Sequence, residues 1–193
     1  MTTIILARHG ESEWNRAGRW QGHADPPLTD RGREQAAELA VALTDVALEA
    51  IYASDLRRAA DTAEIVASAL GLPVTTDPLL REVDVGEWSG LTAAEVEQRY
   101  PAAFRRYRAG GDGWEQGEPH ATMTERVTAA VAGIAALYPS GQVLCVLHGG
   151  VIGALLAQAE GVTWSDFRRA NRGLTNGTVA RIAVENRTFR RID

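Results

Sequence analysis

Two short apolar runs in this chain, Ile4–Ala7 and Val143–Leu147, both lead to a histidine followed by glycine, the first through Arg8. Runs of this length with no polar alternation suit strands buried on both faces, as in a parallel sheet. Open α/β sheets collect ligands at the carboxyl ends of such strands. His9 and His148 are therefore expected to emerge on one rim and to converge there. Arg8 precedes the first histidine, and Gly10 lets backbone approach a ligand closely. An imidazole beside a guanidinium is a minimal kit for handling a phosphoryl group, one a nucleophile and the other a fixed cation.

The rest of the chain alternates strands and helices. A Gly/Pro-rich loop covers 17–27, and Thr29 is placed to cap a helix reaching about Leu43. Residues 50–53 form a second strand, then Ser54 or Asp55 caps a helix that runs to about Leu70 and stops at Gly71. Residues 73–76 make a third strand. The stretch 79–119 is irregular, with short helices near 93–99 and 102–108, and is expected to supply a lid or substrate-facing subdomain over about 83–119. Thr122 or Thr124 opens a helix to about Leu137; strand 142–147 and a helix through Leu156 follow. Residues 176–184 and 188–192 close the chain as a hairpin across 185–187. The pattern predicts an α/β fold, a three-layer α/β/α sandwich with a mostly parallel central sheet. No repeat or long linker divides the 193 residues, so one domain over 1–193 is expected.

Composition narrows the chemistry. The net charge of -5 gives the surface no general attraction for nucleic acid or anionic membrane, so neither is an expected partner. All 20 basic residues are arginine, which excludes a Schiff-base lysine and a P-loop lysine and favours bidentate recognition of phosphate oxygens. The one cysteine, Cys145, cannot form an intrachain disulfide and falls inside an apolar strand, where it reads as core. The spacing of the four histidines does not suggest metal ligation, and neither metal nor cofactor is expected. The chain enters its first strand without a basic leader, and no apolar run reaches membrane-spanning length, so a cytoplasmic location is expected.

Two further stretches bear on the site. Ser54–Ala59 places Arg57 and Arg58 in the first turn of a helix, near unpaired N–H groups and the positive end of its dipole; spacing does not choose between them. In 80–90, acidic side chains alternate with apolar ones before a Gly-rich loop. That pattern fits a general acid and a half-buried edge strand equally well.

Taken in order, these segments resemble the histidine phosphatase superfamily, also called phosphoglycerate mutase-like. Arg8-His9-Gly10-Glu11 is similar to its signature, and 28–36 to the start of its first helix. Residues 54–63 resemble the second motif, Leu80-Arg81-Glu82 with 86–90 the third, and Leu147-His148-Gly149-Gly150 the fourth. The resemblance implies that His9 is a transiently phosphorylated nucleophile. Arg8, Arg58 and His148 would bind phosphoryl oxygens, helped by Asn15 and the Gly149 N–H. Between the paired arginines the resemblance favours Arg58. It further implies that Glu82 protonates the leaving oxygen and then helps activate water, and that Gln21 and Gly22 line the phosphate pocket.

The phosphatase branch fits better than a cofactor-dependent phosphoglycerate mutase. Such mutases typically carry a longer middle insertion and a lysine in the substrate clamp, and this chain has neither. Arg105 and Arg106 imitate a mutase clamp but are expected on a solvated helix face. The expected activity is metal-independent hydrolysis of a small phosphorylated metabolite, a phosphoric monoester; a non-catalytic phospho-ligand-binding protein is the third reading. Trp20 and Trp114 are the better pocket-wall aromatics, whereas His23 and His120 are expected to be exposed. The terminal hairpin leaves room for a homodimer.

Overall fold

A computed structural model describes residues 1–170 and 174–192. In chain order, the elements are β1 (Thr2–Arg8), α1 (Glu13–Arg16), α2 (Asp30–Ala42), β2 (Ala50–Ala53), α3 (Arg57–Leu70), β3 (Val74–Thr76), α4 (Ala93–Arg99), α5 (Pro101–Arg108), α6 (His120–Leu137), β4 (Gln142–Leu147), α7 (Gly149–Glu160), α8 (Trp164–Ala170), β5 (Val179–Glu185) and β6 (Thr188–Arg191). Short 3₁₀ turns at Pro78–Leu80 and Gly86–Trp88 interrupt the segment between β3 and α4. Among the described residues no helix is long and apolar enough to cross a membrane.

The strands form one sheet in the order β3-β2-β4-β1-β5-β6. The β3, β2, β4 and β1 strands run parallel, and β5 and β6 are added antiparallel. The two apolar runs are thus neighbours at the centre of the sheet. Their register pairs Arg8 with Leu147, and the His9 N–H donates to the Leu147 carbonyl at 3.0 Å. The residues that follow, His9 and His148, leave the sheet side by side.

Alternation along the strands feeds two cores. Ile4, Leu6, Val143 and Cys145 face the layer that contains α6 and α7. Ile5, Ala7, Leu144 and Val146 face α2 and α3 on the opposite side. The expected α/β/α sandwich is the result, with Cys145 fully buried in it. Trp88, with no exposed surface, makes edge contacts with Tyr107 (5.5 Å) and Trp114 (5.6 Å) inside residues 83–119 and with Trp20 (5.3 Å) of the 17–27 loop.

Several helix ends differ from the expectation because tertiary groups cap them. Thr29 does cap α2, accepting from the Gly32 N–H. For α3 the cap position is Leu56, not Ser54 or Asp55. The Asp25 carboxylate reaches in from the 17–27 loop to accept from the Arg57 N–H at 2.6 Å, while Asp55 is committed to Arg81. Helix α6 begins at His120 rather than at Thr122 or Thr124, because the Asp112 carboxylate accepts from the His120 N–H. Helix α7 runs past Leu156 to Glu160 and ends on Gly161 in the left-handed region. The terminal hairpin turns on Asn186 and Arg187, both with positive φ, as a tight two-residue turn requires.

One close approach holds the loop that carries His9. A Cβ at Gly10 would lie 2.2 Å from the Gly32 carbonyl oxygen, and a Cβ at Gly32 would lie 2.1 Å from that of Glu11. Both obstacles are backbone, so neither can move cheaply. Gly10→Ala should therefore destabilise the fold by about 2 kcal/mol or more. Urea unfolding at neutral pH checks this, and an unchanged midpoint would show that the loop does not pack this way.

Candidate active site

His9 is 2% exposed, and its Nδ1 lies 2.7 Å from the Gly10 carbonyl oxygen. A carbonyl only accepts, so Nδ1 carries the proton and Nε2 keeps its lone pair. Burial pushes the His9 imidazole well below its ordinary pKa, and the charges of Arg58 and Arg8 push it the same way. The His148 ring has no exposed surface, and its centroid is 5.2 Å from that of His9. Neither His148 nitrogen has a partner among the described residues. Burial, followed by Arg58 and His9, pushes this imidazole down as well. Both rings are neutral near pH 7.

The cations are held by main chain rather than by carboxylates. Arg58, 1% exposed, donates to the Ala24 carbonyl at 2.7 Å and to the Gly22 carbonyl at 2.9 Å. Burial lowers its pKa to about 10, which still leaves it charged at neutral pH. Arg8 donates to the Leu174 carbonyl, and its Nε is buried without a partner among the described residues. Of the paired arginines, Arg57 is exposed and pairs with Asp61, so Arg58 is the one turned inward. Gly22 acts through its carbonyl, which fixes the Arg58 guanidinium, and its φ of +51° keeps that carbonyl in place.

A second set of contacts aims amide donors. Ser12 is fully buried; its N–H donates to Asn15 Oδ1 at 3.1 Å and its hydroxyl lies 2.8 Å from Gln21 Oε1. Asn176 Nδ2 also donates to Asn15 Oδ1. With these oxygens occupied, Asn15 and Gln21 have their NH2 groups left to offer an anion. Ser12 and Asn176 are positioning residues that the sequence reading missed. The Ser12-x-x-Asn15 capping box around α1 was the available signal.

Glu82 closes the far side. It is half-buried, and its carboxylate accepts from the N–H groups of Val83 and Gly150, both at 2.9 Å. A Cβ at Gly150 would come within 2.4 Å of Glu82 Oε1, so only glycine there lets the carboxylate cross the N-terminus of α7. Gly149 opens that helix beside the Arg8 guanidinium, where unpaired N–H groups and the dipole favour an anion.

These groups share one cavity of about 440 Å³. Arg8, His9, Asn15, Gln21, Gly22, Arg58, Glu82 and Gly149 all line it; His148 is fully buried and does not, but its ring packs against that of His9. Trp20 and Trp114 form part of the outer wall, as the sequence suggested. His120 also lines the cavity and is 7% exposed, contrary to the expected exposure; a bond to Asp112 and flanking Trp114 and Trp164 hold it in. His23 is half-buried, with Nε2 2.8 Å from the Glu82 carbonyl. Trp164 and Arg168 on α8 are pocket residues the sequence reading missed. Thr163, whose hydroxyl accepts from the Asp166 N–H, was the cap that announced this helix.

Two buried neutral imidazoles make stability depend on pH. The folded pKa values of His9 and His148 lie below the unfolded value of about 6.5, so the unfolded chain binds more protons as pH falls below that point. Their contribution is complete above about pH 6.5 and declines by up to about 1.4 kcal/mol per pH unit for each ring on the acid side. The denaturation midpoint should fall between pH 7 and pH 5, and less steeply in His148→Asn. A midpoint that is flat or rises on acidification would contradict the buried neutral pair.

Over 189 residues the chain is 35% identical to phosphoserine phosphatase 1 of Hydrogenobacter thermophilus, covering 97% of this chain and 89% of that protein. It is 36% identical to a probable phosphoglycerate mutase GpmB of Proteus mirabilis, covering 96% and 86%. Among solved structures, Bacillus stearothermophilus YhfR superposes with a TM-score of 0.93 at 35% identity, covering 99% of this chain and 95% of that one. A mycobacterial glucosyl-3-phosphoglycerate phosphatase complexed with VO3 gives 0.86 at 32%, covering 94% and 92%. The family model for the histidine phosphatase superfamily (branch 1) matches residues 4–192, and the chain belongs to that family.

Proposed function

We propose that this phosphoric monoester hydrolase works by two displacements at His9. The observation that carries the assignment is the Nδ1 contact with the Gly10 carbonyl, which leaves Nε2 as an unprotonated nucleophile in a cationic cavity. In the first displacement the Nε2 lone pair attacks phosphorus. The ester P–O bond breaks, and the departing oxygen takes a proton from the Glu82 carboxyl group. In the second, Glu82 as carboxylate takes a proton from water, the water oxygen attacks phosphorus, and the P–N bond breaks to give inorganic phosphate and neutral His9. Splitting the reaction this way replaces one difficult step with two easier ones.

Phosphoryl transfer asks mainly for positioning and preorganised positive charge. Arg8 and Arg58 supply two guanidiniums, Asn15 and Gln21 amide donors, His148 a second imidazole, and Gly149 a helix N-terminus. Arg105 and Arg106 are exposed and outside the cavity, and Arg106 bonds instead to the Gly113 carbonyl and Glu115. A mutase clamp built on that pair has no support here. The segment 83–119 forms part of the outer wall and is proposed to set specificity for a small phosphorylated metabolite, within the cytoplasm.

Hydrolysis of para-nitrophenyl phosphate in EDTA tests the reading. His9→Ala should lose at least about 10³-fold in kcat. Glu82→Gln should lose about 10²–10⁴-fold on an alkyl phosphate, whose leaving group needs the proton. Phosphate release that survives His9→Ala, or no release by the wild type, would refute the proposed chemistry. Conversion of 3-phosphoglycerate to 2-phosphoglycerate dependent on 2,3-bisphosphoglycerate would establish the mutase reading instead.

A further inference from the structure

Among the described residues, the cavity contains a cation beyond those that flank His9. Arg168, on α8, lines the outer wall with its guanidinium carbon 3.9 Å above the Tyr107 ring centroid, and it donates to the Tyr107 carbonyl. Its Nη1 is buried with no partner among the described residues, and no described carboxylate forms an ion pair with it. The neighbouring Arg169 is the one that pairs with Asp166. Arg19, another lining cation, is matched by Glu95 at 3.2 Å. Among the described residues, that leaves Arg8, Arg58 and Arg168 facing one lining carboxylate, that of Glu82. If a dianionic phosphoryl group engages Arg8 and Arg58 beside His9, Arg168 stays without a counter-charge among the described residues.

A guanidinium N–H enclosed without an acceptor is costly, and a planar anion satisfies it well. Glu82 and Arg168 both line the cavity with Tyr107 and His120, and the charges of both reach those two rings. We propose that Arg168, fixed on Tyr107, is a second anion subsite that receives a carboxylate on the leaving group of the substrate. The preferred substrates are then small phosphomonoesters bearing one carboxylate. This rests on the phosphatase reading and adds a residue that determines specificity.

Matched pairs isolate the carboxylate: 3-phosphoglycerate against glycerol 3-phosphate, and O-phosphoserine against O-phosphoethanolamine. In the wild type, kcat/KM should favour the carboxylate member of each pair by about tenfold or more. Arg168→Met should bring both ratios close to one, and Arg168→Lys, which keeps the charge and loses the fork, should fall between. Wild-type ratios near one overturn the subsite whatever the variants do, as does a preference that persists in Arg168→Met. Hydrolysis of para-nitrophenyl phosphate that depends on His9 keeps the two proposals separable. If it is present and the ratios are flat, the subsite fails and the phosphatase stands; if it is absent, the phosphatase reading itself fails.

Discussion

The parallel pairing of β1 with β4 is the constraint on which the site depends. Because Arg8 is in register with Leu147, the next residue of each strand is a histidine at the same edge. The His9 N–H is still tied to the Leu147 carbonyl, and its ring is tied to Gly10. Backbone thus sets both the position and the tautomer of the proposed nucleophile. A slip of one residue in that pairing would turn the two strands' core residues to the wrong faces. The packing of Ile4 and Leu6 on one side and Ile5 and Ala7 on the other therefore also guards the chemistry.

The cost of this arrangement is buried positive charge. Arg58 is nearly inaccessible, and desolvation is the main reason its pKa falls. The fold offsets that cost with carbonyls from the 17–27 loop, and the same loop supplies Asp25 to the start of α3. Carbonyls orient the guanidinium without neutralising it, whereas a buried carboxylate partner would cancel the field an incoming phosphate needs. Neutral imidazoles are compatible with the same cationic field, since each surrounding arginine discourages their protonation.

Much of this was legible in the sequence because it depends on local pattern. Uninterrupted apolar runs marked β1 and β4, Thr29 and Gly71 marked helix ends, and the ordered motifs pointed to His9, Arg58, Glu82 and His148, which the structure brings close together. What stayed hidden depends on contacts between distant segments. The start of α3 is capped by Asp25 and that of α6 by Asp112, and no periodicity in the helices themselves announces either. His120 looked exposed because a Gly/Pro-rich stretch precedes it, yet Trp114 and Trp164 enclose it. Helix α8 was overlooked although Thr163 and Asp166 mark its first turn, and with it went Trp164 and Arg168.

If the phosphoryl group passes through His9, the phosphorylated intermediate can be trapped there. Wild-type protein mixed with a ³²P-labelled phosphomonoester and quenched within the first turnover should carry label that is stable to base and labile to acid. Peptide mapping should place that label on the segment containing His9, and His9→Asn should carry none. Rapid steady-state hydrolysis with no label under quench conditions that preserve phosphohistidine, or with label on another residue, would contradict the account.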